Sequence, residues 1–135
     1  MTLATSALAT EDMLAIQQLY ARYNHAIDSG DADGWAACFT ADGTFTSGAS
    51  GSFAGKEQLT TFAQGFASRL KARHWTNNLI IEADGEGATG TCYLMLLRLQ
   101  EGSPASVLTT GIYRDSLLRD AGAWKFTSRS VTPDA

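Results

Sequence analysis

Two histidines are the side chains in this sequence best suited to transferring protons near neutral pH, and they occur far apart as His25 and His74. Alternation along a predicted strand places His74 on one face with Thr76 and Asn78. This polar row indicates either a solvent-exposed face or the lining of a pocket. His25 is expected to lie exposed on the outer side of a helix. Because the two histidines belong to separate elements and lack metal-ligand spacing, the sequence predicts no metal site.

Asp28 is a candidate carboxylate partner for proton transfer, and it lies in the last turn of the first predicted helix. Gly30 follows at the position of a left-handed helix cap, and Asp31 can cap a short second helix over residues 31–39. Asp42 and Gly43 then lead into a strand. Helical periodicity does not place Asp28 in a pocket, so a solvated residue at the end of a helix remains an alternative.

The elements that position these residues follow from hydrophobic periodicity, which changes from about 3.6 to 2 residues after position 71. Helical spacing predicts a long first helix that begins at an N-cap, Thr10, and a third helix over residues 56–70. Three turns rich in glycine separate four long strands and predict an antiparallel meander. The predicted strands cover residues 44–46, 53–55, 73–82, 88–100, 105–119 and 123–131.

Length, composition and charge exclude several classes of function. The chain has 135 residues, 44% of them hydrophobic, which predicts one domain over residues 10–135 after a flexible arm at residues 1–9. A net charge of −4 and the lack of a basic run argue against nucleic-acid binding. No apolar run is long enough for a membrane, and the N-terminus does not resemble a signal peptide. Cys38 and Cys92 are expected to be buried free thiols, so we expect a cytoplasmic protein.

The strand over residues 88–100 is apolar on both faces, which predicts that both faces are covered. Tyr93, Met95 and Leu97 lie on one face, and Cys92 and Leu94 lie on the other. Three helices can cover only the concave face of a curved sheet. We therefore expect a second copy of the chain on the convex face, most simply in a homodimer.

Taken together, these motifs resemble the nuclear transport factor two-like superfamily and, within it, the SnoaL-like polyketide cyclase and scytalone dehydratase-like branch. The resemblance covers the chain after the arm. It implies an α+β fold, a cone-shaped barrel with three N-terminal helices packed in the concave face of a curved, mostly antiparallel sheet. The residues that carry it are Tyr23, Asp28, Gly30, Asp31, Trp35, Phe39, Asp42, Gly43, Phe45, Arg73, His74, Asn78, Arg129 and the segments 111–115 and 122–126.

The resemblance also implies a small cofactor-independent enzyme, because Asp28 and His74 match an aspartate and a histidine that face each other in the pocket of dehydratase-like relatives. Such a pair could dehydrate, isomerise or cyclise a hydrophobic carbonyl compound, and a cyclic compound is expected. A polar or aromatic substrate-binding lining is expected from Tyr23, Trp35, Phe39, Phe62, Phe66, Trp75, Asn78, Tyr93 and Tyr113. The sequence predicts no cofactor.

Other activities within the superfamily have weaker matches. Residues 91–94 lack the second pocket histidine of scytalone dehydratase-like enzymes. An epoxide hydrolase-like set of aspartates and arginine is disfavoured because Arg98 has no aspartate beside it. The alternative to an enzyme is a non-catalytic ligand-binding or scaffold module that resembles the small subunits of aromatic-ring dioxygenases.

Overall fold

The computed structural model of the protein describes residues 8–48 and 50–135, so most of the predicted N-terminal arm lies outside the described residues. Helices and strands alternate irregularly before the long strands begin. In chain order the elements are α1 (Thr10–Ser29), α2 (Ala32–Ala36), β1 (Phe39–Ser47), β2 (Gly51–Ala54), α3 (Gly55–Arg69), β3 (Ala72–Asp84), β4 (Gly87–Arg98), β5 (Ser106–Asp120) and β6 (Ala123–Pro133).

Six strands form one sheet in the order β2-β1-β6-β5-β4-β3. Strands β3 to β6 form the predicted antiparallel meander, and β1 pairs with β6 in parallel. The predicted α+β architecture is confirmed, since α1, α2 and α3 share one buried core with the strands of a mostly antiparallel sheet. β2 and β3 are free edges, so the sheet is not closed into a barrel.

Helix α1 crosses the sheet and has defined ends. It begins one residue earlier than predicted, because Ala9 rather than Thr10 is the N-cap, and the Ala9 N–H donates to the Asp12 carboxylate at 3.3 Å. It ends as predicted at Gly30, whose φ of 79° is the left-handed conformation that glycine adopts without strain. Within the described residues, no helix is long and apolar enough to span a bilayer.

The start of β1 corrects the predicted boundaries. Asp31 caps α2 as expected by accepting the Gly34 N–H at 2.9 Å, but α2 ends at Ala36 and β1 already begins at Phe39. Gly43, expected to lead into the strand, lies inside β1 where the pairing with β6 shifts register. A side chain there would approach Phe39 Cβ to 2.9 Å, so this irregular strand needs glycine.

The core is a cluster of aromatic rings between the helices and the sheet. Trp35 is completely buried, and the ring centroids of Tyr23, Phe39 and Phe45 lie 5.1–5.5 Å from its own. The centroids of Tyr23 and Phe39 are 6.2 Å apart. Such tilted and edge-on contacts stabilise aromatic pairs beyond the burial of their area. This packing fixes α1 and α2 against β1.

Candidate active site

An open cleft of about 1320 Å³ lies along α1 and is bordered by β3, β4 and β5. Its volume is sufficient for a small organic ligand. Polar side chains reach it from α1 and β3, and apolar side chains reach it from β4. The lining includes Tyr20, Asn24, Asp28, Arg73, His74, Thr76, Cys92, Tyr93 and Leu94.

Asp28 and His74 are in direct contact at this cleft. The Asp28 Oδ1 and His74 Nδ1 atoms are 2.6 Å apart, and their side chains are only 11% and 8% exposed. The Asp28 carboxylate also accepts the backbone N–H of His74, at 3.0 Å to Oδ2 and 3.2 Å to Oδ1. Three contacts with one residue hold the carboxylate and the ring in a fixed geometry.

This geometry assigns the protons of the imidazole ring. A carboxylate only accepts hydrogen bonds, so in the neutral form of His74 the hydrogen is on Nδ1 and the lone pair is on Nε2. Nε2 has no hydrogen-bond partner among residues 8–48 and 50–135, and the imidazole ring packs on Phe66 with centroids 5.6 Å apart. The arrangement can therefore accept a proton at Nε2 while Asp28 stabilises the resulting imidazolium.

Arg73 adds a loose electrostatic contact to the pair. Its Nε is 3.7 Å from Asp28 Oδ2, and its side chain is 56% exposed, so solvent screens the interaction. His25 lies on α1 at the border of the cleft, is exposed as expected and is not part of this contact.

Asn24 and Thr76 form a second polar contact beside Asp28 and His74. The Asn24 Nδ2 donates to Thr76 Oγ1 at 3.0 Å, whereas the buried Asn24 Oδ1 has no hydrogen-bond partner within the described part of the chain. Asn24 lies four residues before Asp28 on α1, and Thr76 lies two residues after His74 on β3. The two contacts are therefore neighbours on the same two elements.

Most of the predicted binding aromatics lie in the core instead of the cleft. Tyr23, Trp35, Phe39 and Tyr113 are 0–3% exposed, and Phe62 packs on Trp35 with centroids 5.6 Å apart. Trp75 and Tyr93 also border the cleft, but strand alternation directs their side chains to the face of the sheet opposite His74 and Cys92. The sequence could not separate a pocket wall from a core, because both need large apolar side chains on one face.

Asn78 does not share a face with His74 and Thr76, contrary to the simple alternation. The pairing of β3 with β4 shifts register between Asn77 and Ile80, and Asn78 has a φ of 55°. This bulge leaves Asn78 exposed and restores inward alternation at Leu79. A bulge of one residue leaves no periodic signal in the sequence.

A buried polar cluster at Tyr20, Asp115 and Arg129 was not predicted. The Tyr20 hydroxyl donates to Asp115, and Arg129 Nε lies 3.1 Å from Asp115 Oδ1 across β5 and β6. The Arg129 guanidinium carbon lies 3.5 Å from the centroid of Tyr113 and 4.3 Å from that of Tyr23. Both side chains of the ion pair are fully buried. A local sequence pattern does not indicate this pair, because Asp115 and Arg129 become neighbours only through the pairing of β5 with β6.

Burial dominates the electrostatics of this cluster. It raises the pKa of Asp115 against the opposing effect of Arg129, and it raises the pKa of Tyr20. Burial also raises the pKa of the Cys92 thiol to about 11. Cys92 lines the cleft, but at neutral pH it is a thiol rather than a nucleophilic thiolate.

A metal site is not evident in the described residues. Within 8–48 and 50–135, no group of three or more histidine, cysteine, aspartate or glutamate side chains is arranged to hold an ion. The side chains that reach the cleft supply acid–base and hydrogen-bonding groups.

Three helices on a curved sheet with a cleft along the first helix form the nuclear transport factor two-like fold. The chain belongs to the SnoaL-like domain family, whose model matches residues 9–130. No curated protein matches the sequence.

Solved structures with the same fold include three informative neighbours. A protein of unknown function from Mycobacterium tuberculosis is 33% identical, with a TM-score of 0.86 over 92% of this chain and 72% of that one. Aln2 from a Streptomyces species is 27% identical, with a TM-score of 0.85 over 96% and 95% of the two chains. A protein from Catenulispora acidiphila, solved in complex with S-DNPA, is 27% identical with a TM-score of 0.84 over 93% and 96%.

Proposed function

We propose that the protein is a small cofactor-independent enzyme that uses His74 and Asp28 to move a proton on a hydrophobic carbonyl compound. The observation that carries this proposal is the 2.6 Å contact between Asp28 Oδ1 and His74 Nδ1 at the cleft, with Nε2 unpaired among the described residues. The complex of the Catenulispora acidiphila relative with S-DNPA supports a small-molecule ligand in this family.

The proposed reaction begins at a carbon next to the substrate carbonyl. His74 Nε2 takes a proton from that carbon, and the electron pair of the broken C–H bond forms the enolate. Asp28 stabilises the imidazolium and keeps its ring oriented. The imidazolium then returns the proton to a departing hydroxyl in a dehydration, to another carbon in an isomerisation, or to the oxygen of a newly formed alcohol in a cyclisation.

Deuterium exchange can test this proton transfer without the natural substrate. The probe is 1-tetralone in D₂O, and proton NMR follows the loss of signal from the carbon beside its ketone. We expect the wild-type protein to accelerate exchange over buffer. His74→Ala should abolish the acceleration, and Asp28→Asn should reduce it by about 10²–10⁴-fold because the ring loses its orienting carboxylate.

The second histidine provides a matched control. His25→Ala likewise removes an imidazole, but an exposed one on α1 that forms no hydrogen bond or ion pair with Asp28 or His74 in the described part of the chain, and it should leave the exchange rate unchanged. Circular dichroism must show that all three variants are folded. Wild-type protein that does not accelerate exchange, or His74→Ala protein that retains full acceleration, would contradict the proposed function.

A binding or scaffold module is the second candidate, and the filled aromatic core favours it. Rings such as Trp35 and Phe62 occupy the interior that would enclose a ligand in a deeper pocket. In this case the cleft binds ligands without catalysing a reaction. The wild-type protein then does not accelerate deuterium exchange, and His74→Ala changes only the affinity for ligands.

We also propose that the protein forms a homodimer through the convex face of the sheet. Trp75 and Tyr93 are 58% and 52% exposed there, and strand register places Met95 beside Trp75 and Ile112 beside Tyr93. A contiguous apolar surface of this kind is typical of an interface between subunits. A second copy supplies the same apolar side chains and buries both surfaces together.

Light scattering after size-exclusion chromatography tests the dimer. Tyr93→Glu places a charge within the apolar surface and should yield a monomer. Leu14→Glu is the matched control, because Leu14 is 60% exposed on α1 and lies outside this face. A monomeric wild-type protein, or a dimer that tolerates Tyr93→Glu, would contradict this assignment.

The protein is further proposed to act in the cytoplasm. Cys38 and Cys92 are both buried free thiols, which supports a reducing compartment.

A further inference from the structure

Asn24 has hydrogen-bonding capacity that the protein does not use. One N–H of its amide donates to Thr76, and Oδ1 is left without a partner among the described residues. An unsatisfied buried acceptor destabilises the unliganded protein, so native structures contain few of them. Turning the amide over would exchange its donor and acceptor ends but would still leave one end unpaired.

The position of Asn24 indicates what can satisfy it. Asn24 and Thr76 both line the cleft, and Asn24 is only partly buried, so a rotation of its amide brings an unpaired end toward a bound ligand. Either end of the amide can form a hydrogen bond with a ligand hydroxyl, because a hydroxyl both donates and accepts.

The fold also fixes the distance between this amide and the proposed proton-transfer group. Asn24 and Asp28 are one helical step of four residues apart, and Thr76 and His74 are two strand residues apart. The first separation is about 6 Å and the second is about 7 Å. A ligand oxygen held by Asn24 would therefore lie about this far from the carbon that faces His74.

We propose that Asn24 binds a hydroxyl group of the substrate and so determines which carbon is presented to His74. This inference rests on the proposed function and specifies its substrate class: a carbonyl compound that carries a hydroxyl about 6–7 Å from the reacting carbon. Asn24 is then a specificity-determining residue, while His74 remains the group that transfers the proton.

A pair of probes isolates the hydroxyl contact. The ketone 6-hydroxy-1-tetralone places its phenolic oxygen at a suitable distance from the carbon beside its carbonyl, and 1-tetralone lacks that oxygen. Dissociation constants for both are measured by titration calorimetry. We expect the wild-type protein to bind the hydroxylated ketone roughly five- to tenfold more tightly, the value of one hydrogen bond.

The ratio of the two dissociation constants separates recognition from a structural role. Asn24→Leu should bring the ratio to about one, because it removes the amide and retains the volume. A structural defect would weaken both ligands equally and leave the ratio unchanged. Gln18→Leu, the same kind of replacement at an exposed position of α1, is the matched control and should keep the wild-type ratio.

His74→Ala distinguishes the failure of this inference from the failure of the proposed function. It should lose the exchange of deuterium but retain the preference for the hydroxylated ketone. If the wild-type protein binds neither ketone or binds both equally, or if Asn24→Leu keeps the preference, the assignment of Asn24 is wrong. If Asn24→Leu loses the preference but His74→Ala still accelerates exchange, the assignment of Asn24 is supported and the proposed enzymatic function is wrong.

Discussion

Replacement of Arg129 by methionine is predicted to destabilise the protein strongly although Arg129 lies outside the cleft. Its guanidinium is paired with Asp115 at 3.1 Å, and both side chains are fully buried. Methionine retains the length of the side chain and packs well against Tyr113 and Tyr23. The substitution therefore removes mainly the charge and leaves Asp115 without its counter-ion.

The size of the effect follows from that isolated carboxylate. Removal of one partner from a buried ion pair typically lowers the free energy of unfolding by about 3–5 kcal/mol. Burial already raises the pKa of Asp115, and loss of Arg129 removes the main opposing effect. A carboxyl group whose pKa is higher in the folded than in the unfolded state binds protons preferentially in the folded state. The deficit of Arg129→Met should therefore shrink as the pH falls from about 8 to about 5.

Urea unfolding monitored by tryptophan fluorescence measures this deficit at each pH. The double variant Asp115→Leu with Arg129→Met removes both charges and should recover more than half of the lost stability, since an apolar pair can replace a buried ion pair. The reasoning would be refuted by a deficit of less than about 1 kcal/mol, the range of a surface ion pair, or by a deficit that does not depend on pH.

Three further predictions concern other contacts. Asp12→Asn should lower stability at pH 7, because Trp124 and Arg119 bind the carboxylate and lower its pKa. The difference in stability from wild type should disappear as the pH falls below 3.8 and through the pKa of Asp12 in the folded state. Urea unfolding measured across this pH range tests this. Gly90→Ala should destabilise the fold by about 1–3 kcal/mol, since its Cβ would clash with the Tyr20 hydroxyl, and a wild-type melting temperature would contradict this. Cys92 should react with iodoacetamide at pH 8 only after unfolding, measured by mass spectrometry, because its pKa is raised to about 11.

The order and type of the long elements could be predicted because hydrophobic period depends on local backbone geometry. The interior of α1 and the meander of β3 to β6 follow that period closely. The irregular positions do not follow that period, because their conformation depends on pairing with neighbouring strands. The start of β1 at Phe39 is set by pairing with Phe126, and the bulge at Asn78 is set by the register of β4. Both features depend on partner strands that are distant in the sequence, so a local residue pattern does not predict them.

The candidate site shows the same division between local spacing and distant partners. Tyr20, Asn24 and Asp28 recur every four residues, which places them on one side of α1, and this spacing is visible in the sequence. The sequence does not show which residues they contact. Tyr20 forms a hydrogen bond with Asp115 on β5, whereas Asn24 and Asp28 form hydrogen bonds with residues of β3. A polar row on a helix that contacts only solvent would have the same spacing.

Burial changes along this row of α1, and the roles proposed for its members change with it. Tyr20 is 4% exposed, and its partner Asp115 belongs to a fully buried ion pair, so this end of the row stabilises the fold. Asp28, at the other end, holds a histidine whose Nε2 is free among the described residues, so that end is available for chemistry. Asn24 lies between them with one end of its amide paired and the other unpaired. Under the proposed function, a substrate aligned along α1 would therefore contact Asn24 and His74 together, so one face of α1 would both bind its hydroxyl and hold the histidine of β3 that reacts with it.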